Sequence, residues 1–206
     1  KYLIMSYGHL LVHALKELDK ATEGYLERNN IKAVGDTIKG CAVTAAIAGV
    51  GSGWLPGVGS IVATTVWVAA IWGMYIKINV DLGIKIKDNV LKMLASAILT
   101  NIISSAGAFL LAFAASFVLK FIPGFGTLGG VAVDGVLGYV TVYVSGLLYI
   151  KILTNVFEAN KSFDFDNVDM ASVVKNAVKD VNVKEALNEA KKSFKDAKKN
   201  GEFKKK

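Results

Sequence analysis

GCAVTAAIAGVGSGWLPGVGSIVATTVWVAAIWGMYI, residues 40–76, runs for thirty-seven positions without a charged side chain, and Met93–Leu119 does the same for twenty-seven. A helix on the surface of a water-soluble domain carries charge along its outer face. Two such stretches place the middle of the chain in a bilayer or deep inside a helical bundle. The first is broken by Trp54-Leu55-Pro56-Gly57. Proline cannot continue a helix and glycine permits a sharp reversal, so the stretch reads as two apolar helices about a corner.

The corner recurs. Leu55-Pro56-Gly57-Val58-Gly59-Ser60 aligns in residue type with Ile122-Pro123-Gly124-Phe125-Gly126-Thr127, sixty-seven positions later. Each copy lies between two apolar helical segments, which is an internal repeat of a hairpin. Working outward, the spacing predicts helices over about 36–52, 59–83, 88–120 and 128–157. The segments 59–76, 93–119 and 128–150 approach or exceed the roughly 20 apolar residues needed to cross a bilayer, whereas 40–52 is shorter. The tip residues Trp54, Leu55, Pro56, Gly57, Phe121, Ile122, Pro123, Gly124 and Phe125 suit an interfacial or buried position.

Two small-residue faces accompany these helices. Ser96, Thr100, Ser104, Ala108, Ala112 and Ser116 recur every four residues, which lets another helix approach closely. Asp134, Gly138, Thr141 and Ser145 share a face of the fifth helix. The two faces are expected to meet, giving the Asp134 carboxylate hydroxyl partners inside the bundle.

Charge is distributed against this pattern. The formal net charge is +7, yet of the 24 Lys and Arg residues six lie in 1–39, four in 77–92 and thirteen in 151–206, leaving only Lys120 elsewhere. By the positive-inside tendency the basic segments belong on the cytoplasmic side and the uncharged tips point away from it. The expected place is a membrane, as in a bacterial inner membrane, with both termini cytoplasmic and anionic lipids as partners. Nucleic acid is disfavoured, because the lysines alternate with Asp and Glu and no aromatic stacking pattern accompanies them.

The flanks are amphipathic. Residues 4–28 read as one helix, with Tyr7, Leu11, Leu15 and Leu18 at helical spacing and Asn29-Asn30 as its stop; Asp36 is the expected N-cap of the next. Residues 162–169 form an acidic linker. From Met170 the chain is helical again, and Asn182 with Glu185 three residues on is a capping-box pattern that restarts the helix. The division expected is a helical membrane-associated domain over 1–161 with two hairpins, then a linker and basic amphipathic tail over 162–206.

No catalytic constellation is present. His9, His13 and Glu17 share a helical face, but that spacing lacks the further ligands of a zinc site. Gly49–Gly59 lacks the Gly-Lys-Ser/Thr ending of a phosphate loop. Cys41 is the single cysteine, so neither an internal disulfide nor a thiolate cluster is available. The sequence therefore names no enzyme activity, cofactor or metal.

Phe121-Ile122-Pro123-Gly124-Phe125-Gly126, followed by small residues and a Tyr-containing apolar helix, resembles a bacterial family of helical, membrane-associated domains of unknown function that are fused to or encoded near GTPases. Leu55-Pro56-Gly57 and the helix ending near Tyr75 resemble its first half, so the likeness covers about residues 40–155. It implies no catalytic residues, and any GTPase or other cytoplasmic partner would be a separate chain. The fold expected is all-α, a helical bundle with two apolar hairpins and amphipathic ends. The function expected is a non-enzymatic protein that anchors to or remodels a bilayer and binds a cytoplasmic partner, with a homo-oligomer compatible. The alternative is a pore-forming domain that stores an apolar hairpin in a soluble bundle.

Overall fold

A computed structural model describes residues 7–51, 59–121, 129–166 and 168–203, with side chains described except within 49–66 and 106–134. Among the described residues the chain is all-helical. Seven helices follow in order: α1 His9–Ala21, α2 Arg28–Gly51, α3 Gly59–Leu82, α4 Asp88–Phe121, α5 Gly129–Asn160, α6 Met170–Asp180 and α7 Val183–Lys199.

Helix α5 is the axis of the bundle and packs against each of the other six. Its 26-residue segment Gly135–Asn160 is the one helix among the described residues long and apolar enough to cross a membrane, and 94% of its apolar window is buried by protein. A helix apolar on every side requires a partner on every side. Here α1, α2, α3, α4, α6 and α7 provide them.

Contacts along α5 fix the directions of its neighbours. Helix α2 runs antiparallel to it. A Cβ added at Gly146 would meet the Ile38 side chain at 2.8 Å, and one added at Gly138 would meet the Ala45 carbonyl oxygen at 2.9 Å. Helix α3 runs with α5, pairing Tyr75 with Ser145 and Asn79 with Tyr149. Helix α4 runs against α3, bringing Lys92 Nζ 4.4 Å over the Trp72 ring. So α2 and α4 run toward one end of the bundle, here called distal, and α3 and α5 return to the other, here called basal.

The amphipathic helices form a collar. Helix α1 runs beside α5 and joins it through Lys151 and Glu17 at 3.3 Å. Helix α7 runs against α5, with Ser193 at Tyr139 and Glu189 at Tyr143. The bends at the basal end are cut by glycines in the left-handed region, Gly24 at φ 79° and Gly83 at φ 69°, which a side chain would strain.

Local chemistry explains the helix ends. Asn182 caps α7 by accepting the Glu185 amide at 3.3 Å, as the capping-box pattern indicates. Asp169 caps α6, accepting from the amides of Ala171 and Ser172 at 3.1 and 3.4 Å and from the Ser172 hydroxyl at 2.6 Å. That hydroxyl, first, and then the backbone amides hold the Asp169 carboxyl below its ordinary range.

Two expectations at the N-terminal flank are corrected. Helix α1 ends at Ala21, not near residue 28, and a turn over Thr22–Leu26 follows. Helix α2 begins at Arg28, so Asn29 and Asn30 open it, and Asp36 lies inside it. The burial of Ile31, Val34, Thr37 and Ile38 on one face outweighs the modest helix-breaking tendency of the asparagines. Asp36 is not a cap; it accepts a hydrogen bond from the Tyr7 hydroxyl.

Candidate functional site

Among the described residues three regions carry polar chemistry, two inside the bundle and one between two connecting segments. The first is a polar seam inside the bundle. Tyr75 and Tyr149 stack with ring centroids 3.9 Å apart and planes 14° apart. The Tyr75 hydroxyl lies 2.9 Å from Ser145 Oγ, and the Tyr149 hydroxyl donates to Asn79 Oδ1 at 2.8 Å. All four residues are buried. Buried hydroxyls need partners, and pairing them across α3 and α5 fixes the relative register of two otherwise featureless apolar helices. Asn79 Nδ2 and Trp72 Nε1 are buried without a hydrogen-bond partner among the described residues.

The second region is a junction at Glu189. Its carboxylate accepts from the amides of Leu10 at 2.6 Å and Leu11 at 3.1 Å, and from the Tyr143 hydroxyl at 3.0 Å. Helix α1 begins after Gly8, which has no capping side chain. A carboxylate from α7 therefore satisfies the exposed amides and the positive end of the α1 dipole. A Cβ at Gly8 would fall 2.1 Å from Glu189 Cδ, so a side chain there would push the carboxylate off the α1 amides. Below it, the Tyr139 hydroxyl pairs with Ser193 Oγ at 2.7 Å, and the Tyr139 ring packs edge-on to Phe194 and Phe203. Lys39 reaches Glu202 at 2.9 Å. These groups are committed to joining helices and carry no nucleophile with an adjacent base.

The third region is a groove of about 450 Å³ at the basal end, between the α3–α4 connector Gly83–Lys87 and the α5–α6 linker Ser162–Asp166. Its back wall is aromatic: Tyr25 meets Phe157 and Phe163 at centroid distances of 4.9 and 5.7 Å. Lys87 closes one side, donating to both carboxylate oxygens of Asp166 at 2.6 and 2.8 Å. That bond holds the Lys87 ammonium above its ordinary pKa.

The residues singled out from sequence separate. Ser96, Thr100 and Ser104 are exposed. Gly138 is buried on another side of α5, where its missing side chain admits the backbone of α2 at Ala45. Ser145, from the same expected face, pairs with Tyr75 of α3. Among the described residues the two faces do not meet: α4 turns Leu94, Ile98 and Ile102 to the core, which leaves Ser96, Thr100 and Ser104 outward, while Ala108, Ala112, Ser116 and Asp134 have side chains outside the described residues. The hydroxyls of Thr100 and Ser105 are satisfied within α4 by the carbonyls of Ser96 and Asn101. The tip residues Trp54, Leu55, Pro56, Gly57, Ile122, Pro123, Gly124 and Phe125 lie outside the described residues, as do the side chains of Phe121 and Asp134.

Sequence reasoning missed Glu189 and the tyrosines. Glu189 is one acid among many on a lysine-rich amphipathic helix, and its role depends on α7 lying across the start of α1. Tyr139, Tyr143 and Tyr149 were legible only as parts of an apolar helix. Among the described residues no group of three His, Cys, Asp or Glu side chains converges to hold a metal.

No family model, curated protein or solved structure matches this chain.

Proposed function

We propose that the protein is a non-enzymatic, membrane-associated helical protein. In this reading α2–α3 and α4–α5 are two apolar hairpins whose distal ends enter a bilayer, and the collar of α1, α6 and α7 stays in the cytoplasm to bind a partner. The observation that carries it is the distribution of charge along the four long helices. Between described residues, the side-chain bonds and ring contacts of α1, the following turn, α7 and the C-terminal turn with α5 fall between Tyr139 and Phe157. At the other end α4 runs to Phe121 and α5 begins at Gly129. The sequence at that end has no charge between Lys39 and Lys77 or between Lys92 and Lys120, and only Asp134 between Lys120 and Lys151. Uncharged apolar side chains favour leaving water by roughly 25 cal/mol for each Å² buried.

Basic residues cluster on the collar, which suits anionic headgroups at about 1 kcal/mol per lysine near the surface. A separate GTPase is the partner class that the likeness of the Pro-Gly segments suggests.

Flotation with vesicles tests the reading. The intact protein is expected to float with vesicles containing phosphatidylserine, and to remain bound in high salt once its apolar ends have inserted. Recovery of the protein in the lipid-free fraction at every lipid composition would refute it.

A second reading rests on the burial of α5. A membrane-length helix held inside a shell of amphipathic helices is the arrangement of a pore-forming domain in its stored state. Release of an encapsulated dye on mixing favours this reading, and binding without release favours the anchor.

A further inference from the structure

His9 and His13 are the chain's only two histidines. They stand one turn apart at the start of α1, and both are exposed. Residues four apart on a helix are neighbours on one face. The two imidazole centroids lie 6.4 Å apart and their planes 34° apart. An ion about 2 Å from one nitrogen of each ring is reached by rotating two exposed side chains, with the helix left as it is.

The surroundings occupy one nitrogen and leave another. Glu17 Oε2 lies 3.5 Å from His13 Nδ1 and 3.3 Å from Lys151 Nζ. The Glu17 carboxylate is thus held from α5 and faces His13 from the next turn of α1. A carboxylate beside Nδ1 favours the tautomer protonated there, which leaves the Nε2 lone pair for a metal. Among the described residues, His13 Nε2 and both ring nitrogens of His9 have no hydrogen-bond partner. A cation at this place meets the positive end of the α1 dipole. Glu189 offsets that charge, because its carboxylate accepts from the amides of Leu10 and Leu11, which lie between the two histidines.

The donor set selects the metal. Among the described residues no third His, Cys, Asp or Glu joins the pair, and zinc sites take three or four protein ligands. Copper(II) binds nitrogen and oxygen donors more tightly than the other divalent first-row ions, and it accepts a planar set of them.

We propose that His9 and His13 chelate a copper(II) ion across the first turn of α1, with water completing its coordination. The ion ties together the turn whose amides Glu189 caps, so its binding to the folded chain stabilises the start of α1. The site lies on the collar and does not depend on the bilayer reading.

The test is a titration of the full chain with copper sulfate, followed by NMR. The paramagnetic ion is expected to broaden the amide signals around His9 and His13 first, and to saturate at one equivalent. Electron paramagnetic resonance of the bound ion should show nitrogen ligation. His9→Ala and His13→Ala replace exposed side chains, so circular dichroism should be unchanged in both. Each should weaken copper binding by at least the roughly tenfold that loss of even an outer partner costs a metal site. Cys41→Ser should leave binding as it is. Copper binding undiminished in either alanine variant, broadening centred on another segment, or loss of binding in Cys41→Ser overturns the proposal.

Discussion

Glu189 shows how much one side chain can carry. It lies on α7, yet it satisfies the first amides of α1 and the hydroxyl of Tyr143 on α5. Hydrogen bonds to a charged group contribute more than neutral ones, and removing one partner leaves the others unsatisfied. Glu189→Ala is expected to destabilise the protein by roughly 2–3 kcal/mol, measured by denaturant unfolding in mild detergent. Its signature is local: amide exchange should accelerate at Leu10 and Leu11 before the rest of α1. Tyr143→Phe removes one bond and leaves both amides capped, so it should cost less. At Asp169 the prediction concerns pH. Because its carboxyl is held below the ordinary value of 3.8, the folded state favours the ionised form. The capping contribution is present above the unfolded value and is lost as pH falls through the depressed folded value. Fraying of α6 on acidification, followed by amide exchange from pH 5 to pH 2, should therefore occur in the native chain. Asp169→Asn should remove that pH dependence, and an unchanged profile would refute the capping role.

At the scale of elements, the contact between α2 and α5 depends on two absent side chains. A Cβ at Gly138 meets a backbone carbonyl oxygen, whereas one at Gly146 meets the Ile38 side chain, which has some freedom to shift. Gly138→Ala should therefore cost more than Gly146→Ala, within the roughly 1–3 kcal/mol typical of overpacking, and thermal unfolding of the two variants decides the order. The long helices were legible because uninterrupted apolar sequence between glycine and proline punctuation admits few alternatives: α3, α4 and α5 begin and end within a few residues of the expected places. The flanks were less legible. Asn29 and Asn30 resemble a stop, but a helix start at Arg28 buries Ile31 and Val34, and that gain is tertiary. Along Asp88–Ser105, the part of α4 with described side chains, the orientation was misread for a related reason. A stripe of small residues marks a face that can pack closely, but the larger residues Leu94, Ile98 and Ile102 bury more apolar area, so they take the core.

For the whole molecule, composition shows an apolar middle and basic flanks but leaves open which parts of the apolar middle are covered by the flanks. The described part of α5 is enclosed by its neighbours, with its hydroxyls paired to Asn79 of α3 and to Ser193 and Glu189 of α7, and leaving that enclosure would strand those groups. The distal ends of the four long helices lack comparable charge in sequence. Hence the bilayer reading predicts partial insertion, tips first, rather than transfer of all of α5. The three tryptophans, Trp54, Trp67 and Trp72, report on this directly. Trp72 lies under Lys92, a cation that belongs near water, whereas Trp54 stands in the first Pro-Gly segment. Adding phosphatidylserine vesicles should shift tryptophan emission to the blue. Trp54→Phe should abolish most of that shift and Trp72→Phe little of it, with quenchers placed at different acyl depths giving the same order. If Trp54→Phe retains the full shift, the first tip is not an element that enters the bilayer, and enclosure by protein alone accounts for the apolar middle of the first hairpin.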